Sequence, residues 1–344
     1  MIAGLVTGRH EIALRELPEP EPAPGRAVVE IACCGVCGTD LEAWATGHPY
    51  RPAICGHEWS GTVAKLPADV RSLREGDRVA LGIAPACGAC DPCRTGDPAH
   101  CQPAFLGMLG LGPLAAAHGG FARAIAIDAA RLVPVQAAVS DTAAALLEPT
   151  AVALHAVRRT GLRVGDTALV LGAGPIGLLV LQCALAAGAG AVLVIEPNAA
   201  RRERALRLGA QAGLDPSHDD VALLSRALLG PLGPDVVFEC AGAAGTLAQA
   251  GALVRRGGTV SLVGLAAQPA EIQSGAWLAQ ELRLVASLGY VREEFELVQA
   301  LLTDGRIACE SLVTSRAPLA ELPAVFERLH RQPDEIKVLI DPRA

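Results

Sequence analysis

The chain has 344 residues, more than one hydrophobic core usually supports, so its length points to about two domains. Apolar residues make up 51% and charged residues 19%, which excludes wholesale disorder. The net charge of -7 and the lack of any Lys/Arg run exclude a broad phosphate-binding surface, so no nucleic-acid partner is expected.

The opening MIAGLVTGRHEIAL reaches Arg9, His10 and Glu11 after a short apolar start. It lacks the basic flank and long apolar region of a secretory leader, and a cytoplasmic, reducing location is expected. Short alternating runs follow (RAVVEIA, SGTVAKL, DRVALG, FARAIAI), divided by Gly, Pro and Asp. They predict the strands of a compact β-rich domain over residues 1–150. Three polar outliers interrupt it: CGVCGTDLEAW (34–44), ICGHEWSG (54–61) and LEPTAVALHA (147–156). Each supplies a metal-ligand type from a separate segment, namely Cys37, His57 with Glu58, and Glu148. Spacing alone does not join them, because a lone buried histidine is more often a hydrogen-bonded core residue than a ligand.

CGACDPCRTGDPAHC (87–101) packs Cys87, Cys90, Cys93 and Cys101 into one stretch, with two, two and seven residues between them. A disulfide knot, a nucleic-acid-binding zinc ribbon and a structural staple are the alternatives. A reducing location and an odd total of eleven cysteines argue against full pairing. The acidic balance argues against the ribbon. Four thiolates close a tetrahedral zinc site with no open position, so a structural zinc is predicted.

The longest uncharged run, Ala168 to Ile195, passes the length of about 18 residues used to flag a membrane span. Its glycines argue against a span. Gly172, Gly174 and Gly177, around Pro175 and Ile176, fit a strand over 167–171, a tight turn, a helix over 175–187 and a second strand over 191–195. That context makes the G-x-G-x-x-G pattern a dinucleotide signature, with the helix N-terminus facing the pyrophosphate. Glu196 closes the second strand nineteen residues after Gly177, where a carboxylate accepts hydrogen bonds from an adenosine ribose. It is expected to repel a 2'-phosphate and favour NAD over NADP, although Arg201 and Arg202 follow closely enough to neutralise one. Further strand-helix units predict a doubly wound parallel sheet over 151–285, an α/β fold. The loops from Cys240 to Ala243 and from Gly264 to Ala266 fall at strand carboxyl ends, where such sheets bind ligands.

Cys37-Gly38-Thr39-Asp40, Gly56-His57-Glu58, the four-cysteine lobe, Glu148-Pro149 and the Gly172 to Gly177 turn follow one another in an order that resembles the zinc-containing medium-chain dehydrogenases/reductases, the alcohol dehydrogenase superfamily. The resemblance runs along essentially the whole chain. It implies a GroES-like catalytic domain that takes back residues 286–344, a Rossmann domain, two zinc ions per chain, a nicotinamide cofactor and a homodimer or homotetramer. The Glu148-Pro149 pair stands where many alcohol dehydrogenases have a cysteine ligand, which resembles the branch acting on sorbitol, threonine or butanediol.

The chemistry follows from the residues. Zinc held by Cys37, His57 and a carboxylate of Glu148 or Glu58 keeps one position open and, as a Lewis acid, lowers the pKa of an alcohol. Thr39 hydrogen-bonds the alcohol oxygen and passes its proton outward, while hydride leaves the carbinol carbon for the nicotinamide. Asp40 orients His57, with plain helix capping as the alternative. Three residues after Thr39, where many relatives carry a histidine, stands Glu42, which leaves the relay to Glu42, to water, or to His48. The expected substrate is a secondary alcohol of polyol, amino-alcohol or sugar-like type, converted to a ketone. The alternatives are a zinc-free quinone or enoyl reductase of the same superfamily, which would need none of these ligands, and a non-catalytic dinucleotide-binding protein, which could afford to lose Thr39 or a ligand, whereas this chain has lost neither. Trp44, Phe105, Leu106 and Trp277 are candidates for lining the substrate pocket.

Overall fold

The computed structural model describes residues 1–47, 55–266, 268–331 and 335–344, so His48 lies outside the described residues. Internal contacts divide the chain into two compact units. The first comprises Met1–Glu148, Val291–Thr303 and Val313–Ala344; the second comprises Pro149–Tyr290 and Asp304–Leu312.

The first unit begins with an antiparallel pair, β1 (Ile2–Gly8) and β2 (Glu11–Glu16). β3 (Arg26–Gly35) is buried along almost its whole length and is paired along both edges, with β4 on one and with β6 and β15 on the other. It feeds α1 (Gly38–Thr46). β4 (Glu58–Lys65) and β5 (Arg78–Leu81) follow, then the cysteine lobe with α2 (Asp91–Arg94) and α3 (Gln102–Met108). β6 (Ala124–Asp128), β7 (Leu132–Pro134), α4 (Asp141–Ala145) and the start of α5 (Leu147–Thr160) complete this stretch.

The second unit alternates strand and helix: β8 (Thr167–Leu171), α6 (Pro175–Ala186), β9 (Ala191–Ile195), α7 (Ala199–Arg207), β10 (Ala212–Leu214), α8 (Val221–Leu229), β11 (Val236–Glu239), α9 (Thr246–Leu253), β12 (Thr259–Leu262), α10 (Ser274–Ala279) and β13 (Arg283–Ala286). All pairings are parallel, in the order β10-β9-β8-β11-β12-β13. The doubly wound sheet expected from the sequence is therefore present. The uncharged run is its core: α6 is buried from Gly177 to Ala184, and β8 and β9 are buried beneath it. Among the described residues no helix is long and apolar enough to cross a membrane.

α11 (Glu293–Thr303), β14 (Val313–Pro318), α12 (Leu322–Arg331) and β15 (Lys337–Asp341) return to the first unit. Its larger sheet runs β14-β15-β3-β4-β5-β7, with β6 paired to β3. Arg292 fastens the returning segment by donating to the carbonyls of Ile83, Ala130 and Leu132. Trp44 is 2% exposed and packs edge-on against His10 and His330, with ring centroids 4.5 and 5.5 Å away. It is a core residue of α1. Trp277 likewise packs on Gly251 of α9, where a Cβ would lie 2.4 Å from the indole nitrogen.

Three glycines at the end of β8 have separate reasons to be glycine. Gly172 adopts φ +95°, and a Cβ on Gly177 would lie 1.9 Å from the carbonyl oxygen of Gly172. A Cβ on Gly174 would meet nothing within 4 Å, so the space beside it is a cradle that the fold itself does not fill. Gly177→Ala is therefore expected to cost about 1–3 kcal/mol by overpacking, seen as a lower urea midpoint. Gly174→Ala should leave that midpoint unchanged and weaken dinucleotide binding, measured by calorimetry.

Candidate zinc and dinucleotide sites

β3 ends at Gly35, and Cys37 becomes the N-cap of α1. The third residue of the helix is Asp40, whose carboxylate is fully buried and accepts the Cys37 N–H at 2.9 Å and the Gly56 N–H at 3.1 Å. Its Oδ1 also lies 3.5 Å from His57 Nδ1. Asp40 therefore caps the helix and faces the imidazole at once. Thr39 Oγ1 lies 3.7 Å from the Cys37 sulfur. Glu42 sits half-buried on α1, and its carboxylate has no hydrogen bond or ion pair with a described residue.

Cys37, His57 and Glu58 each offer a ligand atom within 4.8 Å of the others. Glu148, near the start of α5 and 9% exposed, is not in this group. Glu58 opens β4 in register with Gly35, where the missing side chain leaves room for its carboxylate: a Cβ there would lie 2.3 Å from Oε2. Lys337, the first residue of β15, donates to Glu58 Oε1 at 2.9 Å, to Oε2 at 2.6 Å and to the carbonyl of Val36 at 3.0 Å. Both side chains are essentially inaccessible, at 2% and 1% exposure. Burial works against the ammonium, but the charges of Glu58, Cys37 and Asp40 prevail and raise the Lys337 pKa above its ordinary value. This partner went unread in the sequence. Its one signal was a lysine set among apolar residues in IKVLI.

The donor set is the thiolate, imidazole and carboxylate that zinc takes. Burial disfavours a protonated His57, yet the neighbouring Cys37 and Asp40 outweigh it and hold a proton on the ring well above its ordinary pKa. A divalent cation supplies the positive charge that this proton provides. Cys34 and Cys55 lie nearby, but burial pushes both thiols up and leaves them as neutral core groups.

The lobe brings Cys87, Cys90, Cys93 and Cys101 within the same 4.8 Å limit. Backbone geometry prepares it for a cation: the N–H groups of Ala89 and Cys90 both point at the Cys87 sulfur at 3.4 Å, and the Cys87 N–H points at the Cys101 sulfur at 3.2 Å. These two amides bring the Cys87 thiol down to about 6. Phe105 and Leu106, on α3 just beyond the lobe, are each 39% exposed.

In the second unit Glu196 follows β9 and is 6% exposed. Its Oε2 accepts the N–H of Ala173 at 2.8 Å, inside the glycine turn, and Oε1 accepts that of Asn198 at 3.0 Å. Arg202 is committed elsewhere, to Asp215 at 2.9 Å and to the carbonyls of Glu196 and Pro197. Arg201, half-buried on α7, donates its N–H to the Asn198 cap. Cys240 follows β11 with its N–H on the Leu171 carbonyl, and Gly264 follows β12 with its N–H on the Glu239 carbonyl. Thus Gly172, Gly174, Pro175, Ile176, Gly177, Glu196, Cys240 and Gly264 gather at the carboxyl end of the parallel sheet, beside the cradle at Gly174.

Residues 23–137 match the alcohol dehydrogenase GroES-like domain, and residues 175–304 match the zinc-binding dehydrogenases. The chain is 32% identical over 320 residues to L-galactonate-5-dehydrogenase of Escherichia coli, covering 92% of each. Its fold matches the crystal structure of 2R,3R-butanediol dehydrogenase from Bacillus subtilis with a TM-score of 0.86 at 31% identity, over 99% of both chains. A zinc-binding dehydrogenase of Sinorhizobium meliloti solved with NADP gives 0.87 at 32% identity, again over 99% of both. Fold and sites together define a zinc-binding dehydrogenase. The chain belongs to the zinc-containing medium-chain dehydrogenase/reductase family and is a nicotinamide-dependent oxidoreductase of the alcohol dehydrogenase type.

Two outcomes follow. Lys337→Met strands a buried carboxylate and should cost about 3–5 kcal/mol, whereas the double variant Glu58→Gln/Lys337→Met should cost clearly less; urea unfolding of both measures the coupling. In chelator-stripped protein at pH 7, Cys87 should alkylate first because its thiol ionises near 6, and zinc should protect it. Peptide mass mapping reads the order.

Proposed function

We propose that the protein oxidises a secondary alcohol carrying further hydroxyl groups to the ketone, with transfer of hydride to NAD. The observation that carries this reading is the convergence of Cys37, His57 and Glu58 on one point, with Asp40 behind the imidazole. Zinc at that point supplies a Lewis acid that makes the alcohol proton acidic near neutral pH. Thr39 accepts that proton at its hydroxyl and hands it on, with Glu42 as the next acceptor. A bound nicotinamide would take the carbinol hydrogen with its electron pair, leaving the hydroxyl proton to be released to solvent, one per turnover. The first unit is the catalytic domain in this reading and the second the dinucleotide domain.

The lobe holds a second, structural zinc, supported by four thiols and no open position. Polyol-like substrates are supported by the relatives, since galactonate and butanediol both carry more than one hydroxyl. NAD over NADP is supported by the Glu196 carboxylate and by the commitment of Arg202 to Asp215. A homo-oligomer is supported by β13, an edge strand with exposed Leu284 (46%), flanked by exposed Leu288 just after it (67%) and exposed Leu278 of α10 before it (80%). A reducing, cytoplasmic setting is supported by eleven free cysteines.

Metal analysis should return two zinc ions per chain. Cys37→Ala should abolish turnover on a panel of polyols while dinucleotide binding persists; retained turnover would refute the zinc reading. Glu42→Gln should lower alcohol oxidation and shift its pH profile at unchanged zinc content. Glu196→Ala should narrow the ratio of kcat/KM with NAD to that with NADP.

A further inference from the structure

Glu239 is a buried charge that the roles assigned above leave unused. It ends β11, in register with Leu171 of β8 and Leu262 of β12, and is 1% exposed. Its Oε1 accepts the N–H groups of Ala241 at 3.0 Å and Gly242 at 2.9 Å and the hydroxyl of Thr246 at 2.8 Å. Oε2 has no donor among the described residues and lies beside Gly264, where a Cβ would come within 2.7 Å of it. No described cation pairs with this carboxylate, although an ionised group among neutral donors is costly to bury. Its field reaches neighbours: after burial itself, the charge of Glu239 is what raises the Cys240 thiol.

Position gives the charge a use. The strand order reverses at β8, with β9 and β10 on one side and β11 to β13 on the other. Each half of such a sheet takes one half of a dinucleotide at its carboxyl end. Glu196 belongs to the adenosine half, and Glu239 to the half that takes the nicotinamide nucleotide. The oxidised nicotinamide ring is a cation and the reduced ring is neutral, so a fixed negative charge there distinguishes the two. We infer that Glu239 biases the protein toward the oxidised dinucleotide through an uncompensated buried carboxylate at the nicotinamide half of the sheet. The inference rests on the reading of the second unit as the dinucleotide domain. A unit charge about 10 Å away at an effective dielectric of about 20 changes a binding ratio by on the order of tenfold.

Dissociation constants of NAD+ and NADH, measured on the zinc-loaded full chain by calorimetry and nicotinamide fluorescence, test it. Glu239→Gln keeps the acceptor and removes the charge, and should raise Kd for NAD+ relative to NADH by roughly tenfold. Glu239→Asp keeps the charge, and should hold the ratio within about twofold even if both affinities fall. Thr246→Lys sets an ammonium beside the same oxygen and should move the ratio in the Gln direction, which covers a Gln variant that does not fold. Equal changes in both constants for Glu239→Gln, or for Thr246→Lys in its place, would assign Glu239 to loop structure alone and overturn the inference. Wild-type protein that binds neither form would overturn the dinucleotide reading itself.

Discussion

The fully buried carboxylate of Asp40 is the point on which the catalytic unit turns. It cannot be left unsatisfied away from water, so it must collect donors, and the donors it collects are the Cys37 N–H, the Gly56 N–H and the His57 ring. Those three contacts fix the start of α1 and the loop before β4 against one another. Two candidate zinc ligands from distant segments are thereby held at one place by a residue that is not itself a ligand.

The same device recurs at the strand ends of the second unit. Glu196 after β9 captures the Ala173 amide, and Glu239 at the end of β11 captures those of Ala241 and Gly242. In both cases a carboxylate replaces the sheet partner that a loop amide lacks, which stiffens the loops facing the dinucleotide end. Charge compensation separates these two from the other inward-facing carboxylates. Glu58 has Lys337 on both oxygens, Asp235 at the opposite end of the sheet has Arg255 at 2.6 Å, and Glu239 has neutral donors only. Glu196 and Glu239 are both held by neutral donors, and of the two Glu239 stands in the half of the sheet where a cationic ring is the expected ligand.

The ligand sites also differ in how they are built. The cysteine lobe and the glycine turn are local: four sulfurs within fifteen residues, and a turn whose Gly177 touches Gly172. The Cys37, His57 and Glu58 group depends on β3 and β4 pairing in the register that sets Glu58 opposite Gly35. A one-residue slip would send the Glu58 side chain to the other face of the sheet and dissolve the group.

The sequence by itself determined the parallel α/β sheet, the four-cysteine lobe and the glycine turn, because each is encoded by spacings shorter than one strand-helix unit. It also named Cys37, His57 and Glu58, and it left the carboxylate undecided between Glu58 and Glu148. Tertiary structure alone decided which donors meet, since Glu58 closes with Cys37 and His57 while Glu148 stays on α5 outside that group. It alone supplied Lys337, 279 residues from Glu58, and it alone moved Trp44 from a pocket candidate into the core. Buried charges must be balanced in space, and no local pattern records which strand of a returning segment will bring the partner.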